Sequence, residues 1–78
     1  MAPVDELHRR LVRRIREIAR EKRIPLSHLP DRAVVARSHF WNVLAGNKSP
    51  TLKWIGRIAH ALDADASELL AKRAPAQR

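Results

Sequence analysis

Apolar residues recur at intervals of three and four near the start of the chain, which is the period of an amphipathic helix. The series runs through Val4, Leu7, Leu11, Ile15 and Ile18 and reaches Lys22. Five arginines, Arg9, Arg10, Arg13, Arg16 and Arg20, fall largely off this apolar series. Acidic residues near the start and basic residues near the end suit the helix dipole. The pattern predicts a first helix over residues 5–22.

Two prolines mark the next segment, IPLSHLPDRAVV. Proline is tolerated in the first turn of a helix but disrupts later turns. A helix that keeps Pro30 early therefore starts between Leu26 and His28 and ends near Ala33. The sequence predicts a short second helix here.

A third helix is predicted over residues 37–45, ended by Gly46, since glycine readily adopts the left-handed conformation found after helices. Ser49 followed by Pro50 is typical of an N-cap with proline at the first helical position. A fourth helix is predicted from the apolar residues that follow, which are Leu52, Ile55, Ile58, Ala59 and Leu62.

The segment from Asp65 to Glu68 has the form of an acidic capping box and predicts a fifth helix through Lys72. No strand pattern or internal repeat competes with these helices. The sequence therefore predicts an all-α domain of five short helices over residues 1–72, followed by a flexible tail over residues 73–78.

The third helix is expected to have two different faces. On a helical wheel, Phe40, Val43 and Leu44 share one side, which we expect to face the core. The opposite side carries Arg37, Ser38, Trp41, Asn42 and Ala45, without an acidic residue. Arginine, asparagine and serine can all bond base edges in the major groove. A solvated face usually mixes both charges and rarely exposes tryptophan, so the pattern favours DNA contact over an ordinary surface.

The charge of the chain indicates a polyanionic partner. Sixteen Lys and Arg against eight Asp and Glu give a net charge of +8. Residues 8–23 carry eight of these bases and two acids, whereas residues 60–70 carry three acids and no Lys or Arg. Nucleic acid is the first candidate and an anionic membrane surface the second. An arginine-rich composition without functional meaning is the remaining alternative.

Little in the sequence indicates catalysis or a bound cofactor. The chain of 78 residues has no cysteine, which excludes disulfides and thiolate metal sites. Its four histidines have no i, i+4 spacing that would chelate a metal. No apolar segment has the length of a signal peptide or a membrane span. We expect a cytoplasmic protein that has no catalytic, metal-binding or cofactor-binding residues and does not bind membranes.

Two segments, RRIREIAREKRIPLSHL and ARSHFWNVLAGNKSPTLKWIGRIAHALDADASELL, resemble the Cro/repressor-type helix-turn-helix family of bacteria and phages, also called the XRE family. The resemblance covers about residues 11–71. It implies a lambda-repressor-like fold in which the second and third helices form the helix-turn-helix and the third enters the major groove. It also implies a location at a bacterial nucleoid, or a phage origin.

Carried onto this chain, the resemblance makes Arg37, Ser38 and Asn42 the candidates for reading bases. Trp41 is expected to pack on sugar–phosphate or on a thymine methyl group. The loop residues Asn47, Lys48 and Ser49 would contact phosphates through backbone amides and side chains.

The family usually forms homodimers through its C-terminal helices and binds two-fold-related half-sites. The candidates for that interface are Trp54, Ala61, Leu62, Leu69 and Leu70, although Leu62 and Leu69, each taken by itself, are better explained as core residues.

Three positions depart from the family. Pro30 replaces a small residue, Val34 replaces a frequent glycine, and Ala36 replaces the usual Ser or Thr cap. A β-branched residue disfavours positive φ, so we expect the turn to differ from the common one.

The function expected from these features is a sequence-specific regulator of transcription, acting as a homodimeric repressor on duplex DNA. Two alternatives stay open: an antitoxin that binds a toxin protein and regulates its own operon, and a controller protein of a restriction–modification operon. A basic helix lying on a membrane surface is disfavoured, because the apolar series of the first helix is better explained as core.

Overall fold

A computed structural model describes residues 3–70 of the chain, with side chains from Glu6 onward. Within this part of the chain all regular secondary structure is helical. It consists of α1 (Pro3–Glu21), a 3₁₀ turn (Leu26–His28), α2 (Leu29–Ala33), α3 (Arg37–Ala45), α4 (Leu52–Ala61) and α5 (Ala66–Leu69).

One apolar core joins these helices. Each contributes most of the face that its sequence pattern predicts, because burial of a large apolar side chain stabilises the fold by about 1.5–3 kcal/mol. Two members of the predicted apolar series, Leu7 and Leu52, are instead exposed, at 45% and 82%. The fully buried large side chains come from all five helices and the turn after α4, and they include Leu11, Ile15, Leu29, Phe40, Ile58, Leu62 and Leu69.

The first three predicted helices are confirmed. The first was expected over residues 5–22 and spans Pro3–Glu21. The short second helix is a 3₁₀ turn that continues into α2 and ends at Ala33, so Pro30 lies in its first turn. The bounds of α3 are those predicted, and Gly46 follows it with a φ of 87°.

The predicted cap of the fourth helix is wrong. The helix begins at Leu52, and its cap is Thr51, whose Oγ1 accepts a hydrogen bond from the Trp54 amide at 3.0 Å. Thr51 has the extended backbone that a capping hydroxyl needs to reach the third helical amide. Ser49 and Pro50 precede the cap and belong to the loop.

The fifth helix is shorter than predicted. It spans Ala66–Leu69, and the Asp65 side chain makes no capping hydrogen bond. The Asp65 carbonyl instead accepts from the Glu68 amide at 2.9 Å. Leu70 is the C-cap. Residues 71–72 of the predicted helix, and the predicted tail over residues 73–78, lie outside the described part of the chain.

The turn between α2 and α3 contradicts the expectation for Val34. This residue has φ 57° and ψ 51°, the left-handed conformation in which glycine is common. The turn is held by three hydrogen bonds, from the Val34 amide to the Asp31 carbonyl at 3.3 Å, from the Val35 amide to the Pro30 carbonyl at 3.0 Å and from Arg57 Nη1 to the Val34 carbonyl at 3.2 Å. These bonds and the packing of α2 outweigh the backbone cost at Val34.

Replacing Val34 with glycine is expected to raise the free energy of unfolding by about 1 kcal/mol, since a left-handed L-residue costs about 1–2 kcal/mol and glycine loses more entropy on folding. The Val34 side chain is 74% exposed, so little packing is lost. Thermal denaturation followed by circular dichroism should show a rise of about 4–8 °C. Ala36→Gly is the control: Ala36 has φ −64°, so glycine there should lower stability. An unchanged or lower melting temperature for V34G would contradict the expected strain.

Candidate nucleic-acid interface

The inner side of α3 is anchored in the core. Phe40 and Val43 are fully buried, and Leu44 is 8% exposed. The ring of Phe40 packs against that of Trp54 in α4, with centroids 6.2 Å apart. This packing fixes the rotation of α3 about its axis and therefore decides which residues face outward.

The outer side of α3 has the composition predicted from the wheel. Arg37, Ser38, Trp41 and Ala45 are exposed, and Asn42 is half-buried. Trp41 is 43% exposed, and its ring meets the edge of Phe40 at a centroid distance of 5.0 Å. The predicted separation of the adjacent aromatics, one inward and one outward, is confirmed. Trp41 thus presents a large aromatic surface on a fixed support.

Arg37 has a partner that the sequence did not reveal. Its Nη2 lies 2.9 Å from Asp31 Oδ2 in α2, and both side chains are largely exposed, at 63% and 70%. The two residues are on different helices separated by a turn, so helical periodicity could not pair them. An exposed ion pair contributes only about 0–1 kcal/mol. Arg37 can therefore exchange Asp31 for another acceptor.

The loop after α3 differs in one respect from what was predicted. The amides of Asn47 and Lys48 both donate to the Asn42 carbonyl, at 2.8 and 3.3 Å. Two of the three amides expected to bind phosphate are thus occupied by the C-terminal end of α3, whose carbonyls need such donors. The side chains of Asn47, Lys48 and Ser49 are exposed. Asn47 Nδ2 also lies 3.4 Å from Asn42 Oδ1.

The structure groups charges of like sign. Asp63, Asp65 and Glu68 line one hollow near the start of α5. Arg9, Arg13 and Arg16 line another, which borders the end of α3. The basic and acidic regions seen along the sequence are therefore two separate surfaces.

The predicted dimer residues are mostly core residues. Trp54, Ala61 and Leu69 are 5%, 7% and 0% exposed. They pack inside the monomer because α4 turns these positions toward the core and α5 closes over it. The indole of Trp54 meets His39 edge-on at 6.1 Å. Only Leu70 is partly exposed and able to contact another chain.

The histidines have structural roles where contacts are seen. His8 Nε2 lies 2.6 Å from the Val43 carbonyl and ties α1 to the end of α3. Residues 3–70 gather no group of three His, Asp or Glu side chains in a position to hold a metal ion. None of the helices in this range is long and apolar enough to cross a membrane.

Comparison with models of protein families, with curated proteins and with solved structures finds no match. The residues and their geometry are therefore the basis for assigning a function.

Proposed function

We propose that this protein is a sequence-specific, double-stranded-DNA-binding regulator of transcription, a homodimeric repressor of the Cro/repressor-type helix-turn-helix family. The observation that carries the proposal is the outer face of α3. There Arg37, Ser38 and Trp41 are exposed on a nine-residue helix whose other side is locked into the core. A rigid helix with exposed base-bonding side chains is what readout in the major groove requires.

The connection between α2 and α3 supports the same proposal. Three residues, Val34 to Ala36, separate the helices, which is the length of turn found in helix-turn-helix motifs. Val34 adopts the left-handed conformation that glycine often takes at the matching position of the family. The valine therefore preserves the turn geometry despite its side chain.

In this proposal α3 enters the major groove, and each exposed residue has a distinct role. Arg37 and Ser38 bond base edges, with Asn42 as a further, half-buried reader. Trp41 packs on a thymine methyl group or on the sugar–phosphate backbone. The side chains of Asn47 and Lys48 contact phosphates and position the helix. Ser49, also predicted as a phosphate contact, lines the apolar groove that is assigned below to the second copy.

The homodimer requires a different surface from the one predicted. Leu70 borders an apolar groove with Leu7 and Leu52, whose side chains are 45% and 82% exposed. Among the described residues, no Lys, Arg, Asp or Glu lines this groove. Two chains could therefore meet here through apolar side chains, so we assign this groove to the second copy.

Selection of bound duplexes from a random DNA pool tests the proposal. The expected result is enrichment of a site with two-fold symmetry, with two chains per site by sedimentation. Binding should weaken steeply as salt rises, because phosphate contacts release counterions. If the purified protein prefers no duplex over random competitor DNA, the proposed function is wrong.

Two variants should separate base reading from phosphate contact. Arg37→Ala should relax specificity at one position and cost about 1–3 kcal/mol of discrimination there. Lys48→Ala should weaken binding to all sequences alike and lower the salt slope by about 0.9. Quantitative binding titrations on single-base operator variants measure both effects.

The matched control is Asp31→Asn, which removes the ion pair with Arg37 but keeps the arginine. Specificity should persist in D31N. Relaxed specificity in D31N and R37A alike would mean that the ion pair, and not a base contact, determines the effect.

A further inference from the structure

A groove of about 650 Å³ lies between α1 and the C-terminal end of α3. Its α1 wall carries His8, Arg9, Arg13 and Arg16, and its α3 wall ends with Ala45 and Gly46. We refer to it as the arginine groove. The sequence indicated a polyanionic partner for the basic segment 8–23 as a whole, but it did not name any of these arginines as a contact.

The arginines of this groove are exposed and lie on one face of α1, at spacings of four and three residues. Neighbours at these spacings are about 5–6 Å apart, and like charges there destabilise the helix. Among the described side chains, Arg13 and Arg16 form no ion pair, whereas the adjacent Arg14 pairs with Glu17 at 2.6 Å. A bound anion would relieve the repulsion along the stripe.

The two walls of the groove are held together. His8 Nε2 donates to the Val43 carbonyl at 2.6 Å, and the same carbonyl accepts from the Gly46 amide at 3.1 Å. A carbonyl can only accept, so Nε2 carries the proton. This link joins the first turns of α1 to the last turn of α3, so the groove exists before a ligand arrives.

The arginine groove is continuous with the outer face of α3. Ala45 lines the groove, and it is also exposed on the same side of α3 as Trp41. A duplex lying on that face would pass its backbone over Ala45 and Gly46 toward the arginines. Arg13 is thereby placed to meet a phosphate that α3 itself does not reach.

We propose that the arginine groove binds the phosphodiester backbone of duplex DNA beside α3, through Arg9, Arg13 and Arg16. This role deepens the proposed function and rests on it. Arginine suits the task because its planar guanidinium bonds phosphate oxygens in pairs. Backbone contacts fix position and carry no sequence information. The groove therefore adds affinity for every duplex and leaves the preferred site unchanged.

The test compares two double variants that remove the same charge from the same helix. Arg13→Gln with Arg16→Gln removes the groove arginines. Arg10→Gln with Arg20→Gln is the control, because neither residue lines the groove. Affinity is measured for the selected duplex and for a random duplex at salt concentrations from about 0.05 to about 0.5 M, because counterion release makes affinity fall steeply with salt in this range. Thermal denaturation checks that both variants stay folded.

The groove variant should bind both duplexes about 30-fold more weakly than the wild type near 0.15 M salt. This factor is the counterion-release contribution of two phosphate contacts at that salt, taken relative to about 1 M salt. Its salt slope should fall by about 1.8, with the control close to the wild type. Replacing the same two arginines with lysine should restore most of the slope, since the charges return.

Three results would overturn the proposal. Equal affinities of the groove variant and its control would show that only net charge matters. A changed base preference would show base contact instead of backbone contact. Loss of binding to phosphatidylserine vesicles, with DNA binding intact, would assign the groove to a membrane surface. If the wild-type protein prefers no duplex, but the groove variant still binds random DNA more weakly by the expected factor, the proposed function is refuted and the role of the groove is supported.

Discussion

Replacing Phe40 with alanine is expected to lower the free energy of unfolding by about 3–5 kcal/mol. The side chain is fully buried and packs against the rings of Trp54 and Trp41, at centroid distances of 6.2 and 5.0 Å. A chain of this length has a total stability of about 4–12 kcal/mol, so the loss removes a large part of it and would unfold much of the protein at the low end of this range. Urea denaturation monitored by circular dichroism measures the effect.

Trp41→Ala is the control for this prediction, because the residue is the sequence neighbour of Phe40 but faces outward. It should lower the free energy of unfolding by about 0.5–1.5 kcal/mol, the value of an aromatic edge contact. Under the proposed function, affinity for the selected duplex should also fall, because the proposed packing of this ring on DNA would be lost. A loss of stability as large as that of F40A would place Trp41 in the core and remove it from the interface.

Replacing Arg14 with methionine is expected to lower the free energy of unfolding by about 2 kcal/mol. Arg14 is the charged residue that the core of the described region encloses, with a side chain 7% exposed. Its Nε donates to the Glu68 carbonyl, 54 residues away in the sequence, at 3.1 Å and joins α1 to α5. Methionine keeps the apolar stem in place but leaves that carbonyl without its donor. Urea denaturation again gives the value.

Two controls make the Arg14 prediction specific. Arg13→Met changes the neighbouring, exposed arginine and should alter stability by less than about 0.5 kcal/mol. Glu17→Gln tests the ion pair: Glu17 is 44% exposed and can be rehydrated, so its loss should cost less than about 1 kcal/mol. An R14M variant as stable as the wild type would show that apolar packing of Leu69 alone holds α5.

Arg13 and Arg14 differ from each other in the same way as Trp41 and Phe40. In each pair, adjacent residues of similar chemistry have opposite surroundings, because a helix turns by about 100° per residue. One member stabilises the fold and the other is free to contact a partner. The role of each residue therefore depends more on the direction in which it points from the helix axis than on its residue type.

The sequence by itself determined the existence and order of the helices and most of their inward faces. The bounds of α3, the presence of a short helix around Pro30 that ends at Ala33, and the outward position of Trp41 all follow from interactions within a few residues. The helical period of the apolar residues, the backbone restriction at proline and the glycine after α3 are local properties of the sequence, so they can be recognised without knowledge of the fold. The composition of the outer face of α3 was predictable for the same reason.

Only the tertiary structure decided the features that depend on contacts between helices. Trp54 was predicted at the dimer surface, but it is a core residue because its ring packs against that of Phe40. Arg37 meets Asp31 because the turn brings α2 beside the start of α3. Val34 accepts an unfavourable backbone conformation because Arg57 and the packing of α2 hold the turn. In each case the contact joins different helices, so the local preferences of a single segment do not predict it.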